Sequence, residues 1–317
     1  VTERPGQLNV YGDGFGEPPT LVIAPADLIA NSEGGMLGLE VDPDFATNGY
    51  VYVCFCSTDG PSTDVRVVRY TLRTPDGGSQ QDRVDIITGM PYSNGRHSGC
   101  RPRFGPDGYL WVGTGDGAIA ASPQDDDSLG GKVLRVDRDG RAAPGNPGGR
   151  LWYSKGHRNI QGMAFRGADG FGVSAEHGPR VDDEINELIP GNFGWDPDGP
   201  GYIESQVPMT DLQQFPDAIE AIFSTGYPTL AYSGAEFIEG ERWANWDGSL
   251  VVATLKAQHL HLYFIDGAGN VVDGGRWLER GRRLRSARMG PDGFLYVTTD
   301  AGSNAGEVFK VAPVLAP

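Results

Sequence analysis

A turn-plus-strand unit recurs along this chain and narrows what it can fold into. Gly-Pro-Asp-Gly-Tyr-Leu-Trp-Val-Gly-Thr-Gly-Asp at 105–116 returns as Gly-Pro-Asp-Gly-Phe-Leu-Tyr-Val-Thr-Thr-Asp at 290–300 and, more loosely, as Asp-Pro-Asp-Phe-Ala-Thr-Asn-Gly-Tyr-Val-Tyr-Val at 42–53. Weaker copies are Gly-Ala-Asp-Gly-Phe-Gly-Val-Ser at 167–174 and Asn-Trp-Asp-Gly-Ser-Leu-Val-Val at 245–252. In each, Asp-Gly or Asn-Gly supplies the left-handed backbone that a tight turn needs, and the β-branched and aromatic residues that follow suit a strand. A second echo, Gly-Gly-Lys-Val-Leu-Arg-Val at 130–136 and Ala-Gly-Glu-Val-Phe-Lys-Val at 305–311, follows two of the units.

Recurrence at roughly 45 to 80 residues, with two or more strands per unit and little helical periodicity, predicts an all-β protein built as a β-propeller. Five units are clear, and a sixth is expected in the loop-rich stretch between Asp196 and Tyr232, giving six blades. No linker divides the chain, so one domain is expected over 1–317, with residues 1–29 a Pro-rich segment joining it. Strands are expected there at Leu8–Tyr11 and Thr20–Ile23.

A net charge of −16 argues against nucleic acid or an anionic membrane as partner, because the long-range field repels both. An anionic ligand needs a local cluster of cations. No apolar run reaches the length of a membrane span. The chain starts at Val1 without a basic or apolar leader, so any export signal or lipid anchor would lie upstream of it. Cys54 and Cys56 sit two apart on one face of a strand-like run and are poorly placed to bridge each other. One disulfide is expected from Cys100 to Cys54 or to Cys56, the other option being three buried thiols.

The densest chemistry lies between Ser154 and Trp195, and loops elsewhere add to it. In Arg96-His-Ser-Gly-Cys-Arg101, His97 is a candidate general base with Arg101 beside it to hold a carboxylate or orient the ring. In Gly156-His-Arg-Asn-Ile-Gln161, Arg158 can fork onto carboxylate or quinone oxygens and Asn159 can donate and accept. Glu176-His-Gly-Pro-Arg-Val-Asp-Asp-Glu184 combines freed carbonyls at Gly178 and Pro179 with the carboxylates of Asp182, Asp183 and Glu184, hard oxygen donors that suit Ca²⁺ better than zinc. Lys256 and, ahead of the last unit, Arg280, Arg282, Arg283 and Arg285 form a cationic set, with Arg283 and Arg285 alternating onto one face of a strand edge. The Glu33-Gly-Gly-Met-Leu-Gly38 turn lets backbone approach a flat ligand.

Taken together in this order over about residues 30–311, these motifs, with Asn-Phe-Gly-Trp at 192–195 and Ser-Leu-Val-Val-Ala-Thr-Leu-Lys at 249–256, resemble the soluble glucose dehydrogenase and aldose sugar dehydrogenase family. The resemblance implies a six-bladed propeller of four-stranded antiparallel sheets that binds pyrroloquinoline quinone (PQQ) and Ca²⁺ and oxidises the anomeric hydroxyl of aldoses. It implies His97 as base, Arg158 and Asn159 against the quinone, and Lys256, Arg283 and Arg285 as cations holding the cofactor. Glu33 and Arg101 fall beside the same cofactor. The carbonyls of Gly178 and Pro179 fall on ligands of its Ca²⁺, and Glu184, with the backbone near Phe193, on a structural Ca²⁺. An extracytoplasmic monomer passing electrons to an external acceptor is expected. Two departures stand out: the family often has Gln at the position of Glu33, and usually Gly at that of Cys100. They raise the alternative of a non-catalytic cell-surface or lipoprotein-like propeller that binds a carbohydrate or protein.

Overall fold

The computed structural model describes residues 1–12, 17–73, 79–198, 207–300 and 306–313. The fold is a six-bladed β-propeller of small antiparallel sheets with almost no helix, apart from the single turn α1 (Phe45–Asn48) and short 3₁₀ segments. The chain divides into two compact units, Val1–Asn159 and Ile160–Pro317. No helix among the described residues is long and apolar enough to cross a membrane.

The first unit opens with a three-stranded sheet of β1 (Thr2–Glu3), β2 (Gln7–Val10) and β3 (Leu21–Ile23). Next come β4 (Met36–Val41), β5 (Tyr50–Ser57), β6 (Asp64–Arg73) and β7 (Ser79–Met90), then β8 (Gly99–Phe104), β9 (Leu110–Thr114), β10 (Lys132–Val136) and β11 (Trp152–Lys155). In both sets consecutive strands are neighbours. The second unit holds β12 (Ile160–Phe165), β13 (Gly172–Glu176), β14 (Glu184–Glu187), the two-residue β15 (Gly191–Asn192) and β16 (Phe223–Ser224), with β16 pairing onto β14. It continues with the sheet of β17 (Tyr232–Phe237), β18 (Leu250–Thr254), β19 (Leu260–Ile265) and β20 (Val271–Trp277), and ends with β21 (Leu284–Met289), β22 (Leu295–Thr299) and β23 (Val308–Val311).

The five sequence repeats occupy one structural position: each is the turn between the first and second strands of its sheet. Gly49, Gly108, Gly170, Gly248 and Gly293 all take φ between 68° and 79°, the left-handed geometry the motif was read for. In four of them the preceding Asp or Asn caps the amide two residues on, as Asp107 Oδ1 does for Tyr109 and Asp292 Oδ1 for Phe294, both at 3.2 Å. The second echo is explained as well. Arg135 of β10 and Lys310 of β23 reach back to Asp107 and Asp292, each at 2.7 Å, and lie over the aromatic rings of the neighbouring strand. The second strands β9, β13 and β18 are buried at every residue, apolar along most of their length, with Ser174 and Glu176 of β13 as buried polar exceptions.

The sixth sheet is not in the stretch after Asp196. Among its described residues that stretch contributes only β16, an edge strand for the β12–β14 sheet, and Pro197, Pro208, Pro216 and Pro228 explain why. Proline has no amide to donate to a ladder. The sixth sheet is instead formed by the first 23 residues, where both expected strands are found to within a residue or two. Gln206 and Ala305 lie outside the described residues.

Every repeat-bearing sheet also has an irregular first strand. Register shifts fall at Met36/Leu39 on β4, Gly99/Arg101 on β8, Ile160/Gly162 on β12, Tyr232/Ala235 on β17 and Leu284/Ser286 on β21. Each is a β-bulge that kinks the strand and re-aims a side chain. First strands pack on first strands, β4 on β8, and β17 on both β12 and β21. Glycine makes this possible: a Cβ at Gly234 would lie 2.7 Å from Ser286 Cα and 2.9 Å from the Arg285 carbonyl. Gly38 and Gly162 are equally crowded, against the 100–102 and 233–235 backbones. Gly234→Ala is therefore expected to cost about 2–3 kcal/mol, whereas Gly267→Ala, with no heavy atom within 4 Å, changes little; paired thermal melts check this.

Burial pushes the Glu40 carboxyl up to about 7, opposed by the Arg103 guanidinium and the Phe104 backbone. A carboxyl raised on folding stabilises most below its ordinary value of 4.5, and that contribution is lost as pH rises through about 7. Glu40→Gln should flatten the fall in melting temperature across this window, and an unchanged slope would assign it to other groups.

Candidate active site

In the first unit, the loop from Asn94 to Cys100 presents His97 from a backbone that no regular element would allow. Asn94, Gly95, His97, Gly99 and Cys100 all take φ between 44° and 78°, and three of them are not glycine. What holds the loop is covalent as well as polar. Cys100, on the β8 bulge, is bonded to Cys54 of β5; of the two expected partners, Cys54 is the one used, and Cys56 is a buried free thiol 3.8 Å from Ser98 Oγ. Glu33 Oε2 accepts the His97 amide at 3.0 Å, and the Ser98 hydroxyl donates to Gly95 O at 2.9 Å. The His97 carbonyl accepts the Gly117 amide at 3.2 Å.

The ring of His97 is buried and doubly engaged. Nδ1 lies 2.8 Å from Asp116 Oδ1, and Nε2 lies 2.9 Å from an Arg158 guanidinium nitrogen. A guanidinium only donates, so Nε2 is the unprotonated acceptor and the proton sits on Nδ1, given to Asp116. Asp116 is itself immobilised, taking the Ala118 amide at 2.7 Å and giving its own amide to the Arg158 carbonyl at 2.8 Å. Asn159 bridges Gly115 in a short antiparallel pair. A Cβ at Gly115 would collide with the His97 carbonyl, so that position admits only glycine. His157, by contrast, is a structural partner of Ser154 at 2.8 Å. Arg101 lies on β8 opposite Gly113.

In the second unit the organising group is Asp183, fully buried between β13 and β14. It accepts the Gly178 amide at 2.9 Å, the Thr229 hydroxyl at 2.5 Å and the Leu230 and Ala231 amides at 2.6 and 2.7 Å. The Leu230 carbonyl takes the amides of Lys256 and Ala257 at 3.1 and 3.2 Å. One carboxylate thus ties the Gly178–Pro179 carbonyls to the hairpin carrying Lys256, whose side chain is exposed. The Gly178 carbonyl meets His177 Nδ1 at 2.6 Å.

Glu184 sits in a different environment. It pairs across the ladder with Glu176, and Asn186 pairs with Ser174, so four oxygen-bearing side chains share one face of β13 and β14. All are buried. Asn186 Nδ2 donates to Glu176 and Glu184 at 3.2 Å each, while Asn186 Oδ1 and Ser174 Oγ are buried without a hydrogen-bond partner. Burial, with the Glu176 charge second, holds the Glu184 carboxyl well above its usual range. Among the described residues no group of three His, Cys, Asp or Glu side chains is arranged to hold a metal, so a cation here would draw on amide, hydroxyl and main-chain oxygens too. Phe193 is buried just after β15.

Arg283 and Arg285 do share a side, and what they share is Asp300, at 3.4 and 2.5 Å. Burial works against this carboxylate, yet Arg285 and Arg283 keep Asp300 below its ordinary value. Arg285 stands at the β21 bulge and also reaches Gln161 at 3.2 Å and Ser233 at 3.4 Å, residues at the bulges of β12 and β17. Sequence reasoning missed Asp116 and Asp300, and read Asp183 as an oxygen donor for a cation where it instead accepts three amides and the Thr229 hydroxyl. For the two missed residues a signal existed: Asp116 and Asp300 close the same repeat, in Val-Gly-Thr-Gly-Asp and Val-Thr-Thr-Asp, while Glu176 ends β13 and Lys256 follows β18.

Residues 1–310 match the model of the family described as Glucose / Sorbosone dehydrogenase, and the chain belongs to that family. It is similar to the aldose sugar dehydrogenase YliI of Escherichia coli, 32% identical over 99% of this chain and 86% of that protein. Its structure is similar to that of the soluble aldose sugar dehydrogenase from Escherichia coli in the apo-form, with a TM-score of 0.83 and 30% identity over 99% of this chain and 92% of that one. A further similar structure is the PQQ-bound form of an aldose sugar dehydrogenase from Streptomyces coelicolor, TM-score 0.73 and 30% identity over 90% and 81% of the two chains.

Proposed function

We propose that this chain oxidises the anomeric hydroxyl of aldose sugars as a quinoprotein, with PQQ and Ca²⁺, and passes the electrons to an external acceptor. The observation that carries the reading is the buried His97, whose Nδ1 is committed to Asp116 and whose Nε2 lone pair is aimed at an Arg158 N–H. When bound, the quinone takes up hydride and Ca²⁺ acts as a Lewis acid on its reacting carbonyl. His97 Nε2 takes the proton of the sugar hydroxyl, and the Asp116 carboxylate stabilises the imidazolium that results. As Nε2 becomes protonated it can no longer accept from Arg158, so that N–H turns to the oxygen atoms of the ligands.

The donor sets fit both groups. Lys256, Arg283 and Arg285 are the cations for the carboxylates of PQQ; Arg158, Asn159 and Arg101 contribute polar contacts. Glu33 belongs to this set through the His97 amide that its carboxylate accepts, which turns one of its oxygens to the loop. The carbonyls of Gly178 and Pro179 suit the Ca²⁺ that accompanies the cofactor. The orphaned Asn186 Oδ1 and Ser174 Oγ beside Glu176 and Glu184 suit a second, structural Ca²⁺, with the Phe193 backbone as a further ligand. The Cys54–Cys100 disulfide supports an oxidising, extracytoplasmic compartment.

Metal-stripped protein titrated with PQQ in the presence of Ca²⁺ should bind it and reduce a dye when aldoses are added. His97→Ala should abolish dye reduction and leave quinone affinity within a few-fold, and Asp116→Asn should lower kcat by roughly 10²- to 10⁴-fold. Absence of binding at micromolar quinone with Ca²⁺ present would sink the enzyme reading in favour of a binding propeller. Without quinone, Ca²⁺ should raise the melting temperature by several degrees in the wild type and not in Glu184→Gln; calorimetry with and without a chelator decides.

A further inference from the structure

One cluster of titratable side chains lies outside every residue assigned so far. His259 stands in the turn after Lys256, His261 on β19 and Asp273 on β20; both histidines are buried, and Asp273 is half exposed. Three contacts join them in a row. His259 Nδ1 lies 2.9 Å from the Ala257 carbonyl, His259 Nε2 lies 3.2 Å from His261 Nδ1, and His261 Nε2 lies 2.6 Å from Asp273 Oδ1. Each contact needs one hydrogen, and both ends of the row, a carbonyl and a carboxylate, are acceptors. Two neutral imidazoles carry only two hydrogens between them.

We propose that His259, His261 and Asp273 hold three protons rather than two, and that this proton-held chain positions the hairpin bearing Lys256. The proposal rests on the reading of Lys256 as a cation for an anionic ligand. With two protons, and the strong bond to Asp273 kept, one contact must set lone pair against lone pair. This falls at Ala257 O if His259 is protonated on Nε2, and between the rings if it is protonated on Nδ1. The first loosens the residue next to Lys256; the second parts β19 from the turn.

Burial lowers the His259 pKa, against the Ala257 carbonyl, with His261 and Arg276 also lowering it and Glu279 raising it. His261 stacks on Tyr263 at 4.8 Å and 19°, the Tyr263 hydroxyl bonds to that of Tyr232, and the charges of Asp183 and Asp273 both act on these two tyrosines. Arg276 is the ladder partner of His261 and pairs outward with Glu279 at 3.6 Å. On the other side the hairpin is closed by Thr254 Oγ1, bonded to both the amide and the carbonyl of His259. The third proton is present at low pH and lost as pH rises, so the hairpin is fixed on the acid side and loosens on the basic side.

The substitution Asp273→Asn separates charge from geometry. It removes the counter-charge while the amide oxygen keeps the place of Asp273 Oδ1, which also accepts the Gly275 amide at 2.7 Å; His261 Nε2–H donates to that oxygen, and a neutral pair of rings leaves one of the other two contacts unmade at every pH. The test begins with ¹⁵N spectra of the histidine side chains in ligand-free protein, counting protonated nitrogens across the two rings, together with hydrogen exchange of the Lys256 and Ala257 amides against pH. The wild type should show three protonated nitrogens that fall to two, with amide exchange accelerating beyond its intrinsic pH dependence through the same transition. Asp273→Asn should show two throughout and no such acceleration. Quinone affinity, measured with Ca²⁺ present, should weaken roughly tenfold across the transition in the wild type, the size of one lost charge-assisted hydrogen bond, and stay flat in the variant. Two protonated nitrogens in the wild type on the acid side, or a variant that keeps the wild-type pH dependence, would overturn the proposal. If quinone fails to bind at every pH, the functional reading fails instead, while the nitrogen count and amide exchange still decide whether the chain of protons holds the hairpin.

Discussion

The close approach of neighbouring first strands is the constraint on which the rest depends. Main chain meets main chain at Gly38, Gly162 and Gly234, and a strand packed this tightly cannot keep a regular pleat. The bulges at the start of β4, β8, β12, β17 and β21 absorb the misfit. Each releases one or two residues from the alternation of faces, and chemistry-bearing residues occupy four of the five places: Cys100, Gln161, Ser233 and Arg285. Arg285 meets Gln161 and Ser233 because all three leave their strands at the same level. Packing geometry and the placing of polar groups are therefore one feature.

A second regularity concerns charge. Residues closing the second strands supply counter-groups for chemistry displayed elsewhere: Asp116 for His97, and Asp300 for Arg283 and Arg285. Interior charges without partners would be costly, and these are held by hydrogen bonds to fixed backbone or to each other. Asp183 extends the same logic to main chain, collecting amides from both sides of β14 so that two loops distant in sequence are set by one carboxylate.

What could be read beforehand follows from where the physics is local. A tight turn demands Gly at a left-handed position whatever surrounds it, so Asn48-Gly49, Asp107-Gly108 and their three counterparts announced the sheets. The cations Arg135 and Lys310 recurred because they bond to those turns. The sixth sheet was misplaced because the first 29 residues read as a Pro-rich segment joining the propeller, whereas the loop-rich run after Asp196 had room for one. His97 and Arg158 stood out by residue type and motif. Their mutual contact, and the role of Asp116, depend on how the 94–100 loop folds back, which a run of left-handed φ values makes non-local. The choice of Cys54 over Cys56 as partner of Cys100 was likewise invisible to spacing, since both cysteines face the same way.

The pairing of Arg283 and Arg285 with Asp300 changes what it means for a ligand to arrive. One carboxylate between two guanidinium groups offsets part of their mutual repulsion, so both charges are accommodated at 283 and 285 by a group of the chain itself. The same carboxylate is a tethered competitor: an anion reaching these arginines would have to displace Asp300 rather than meet bare cations.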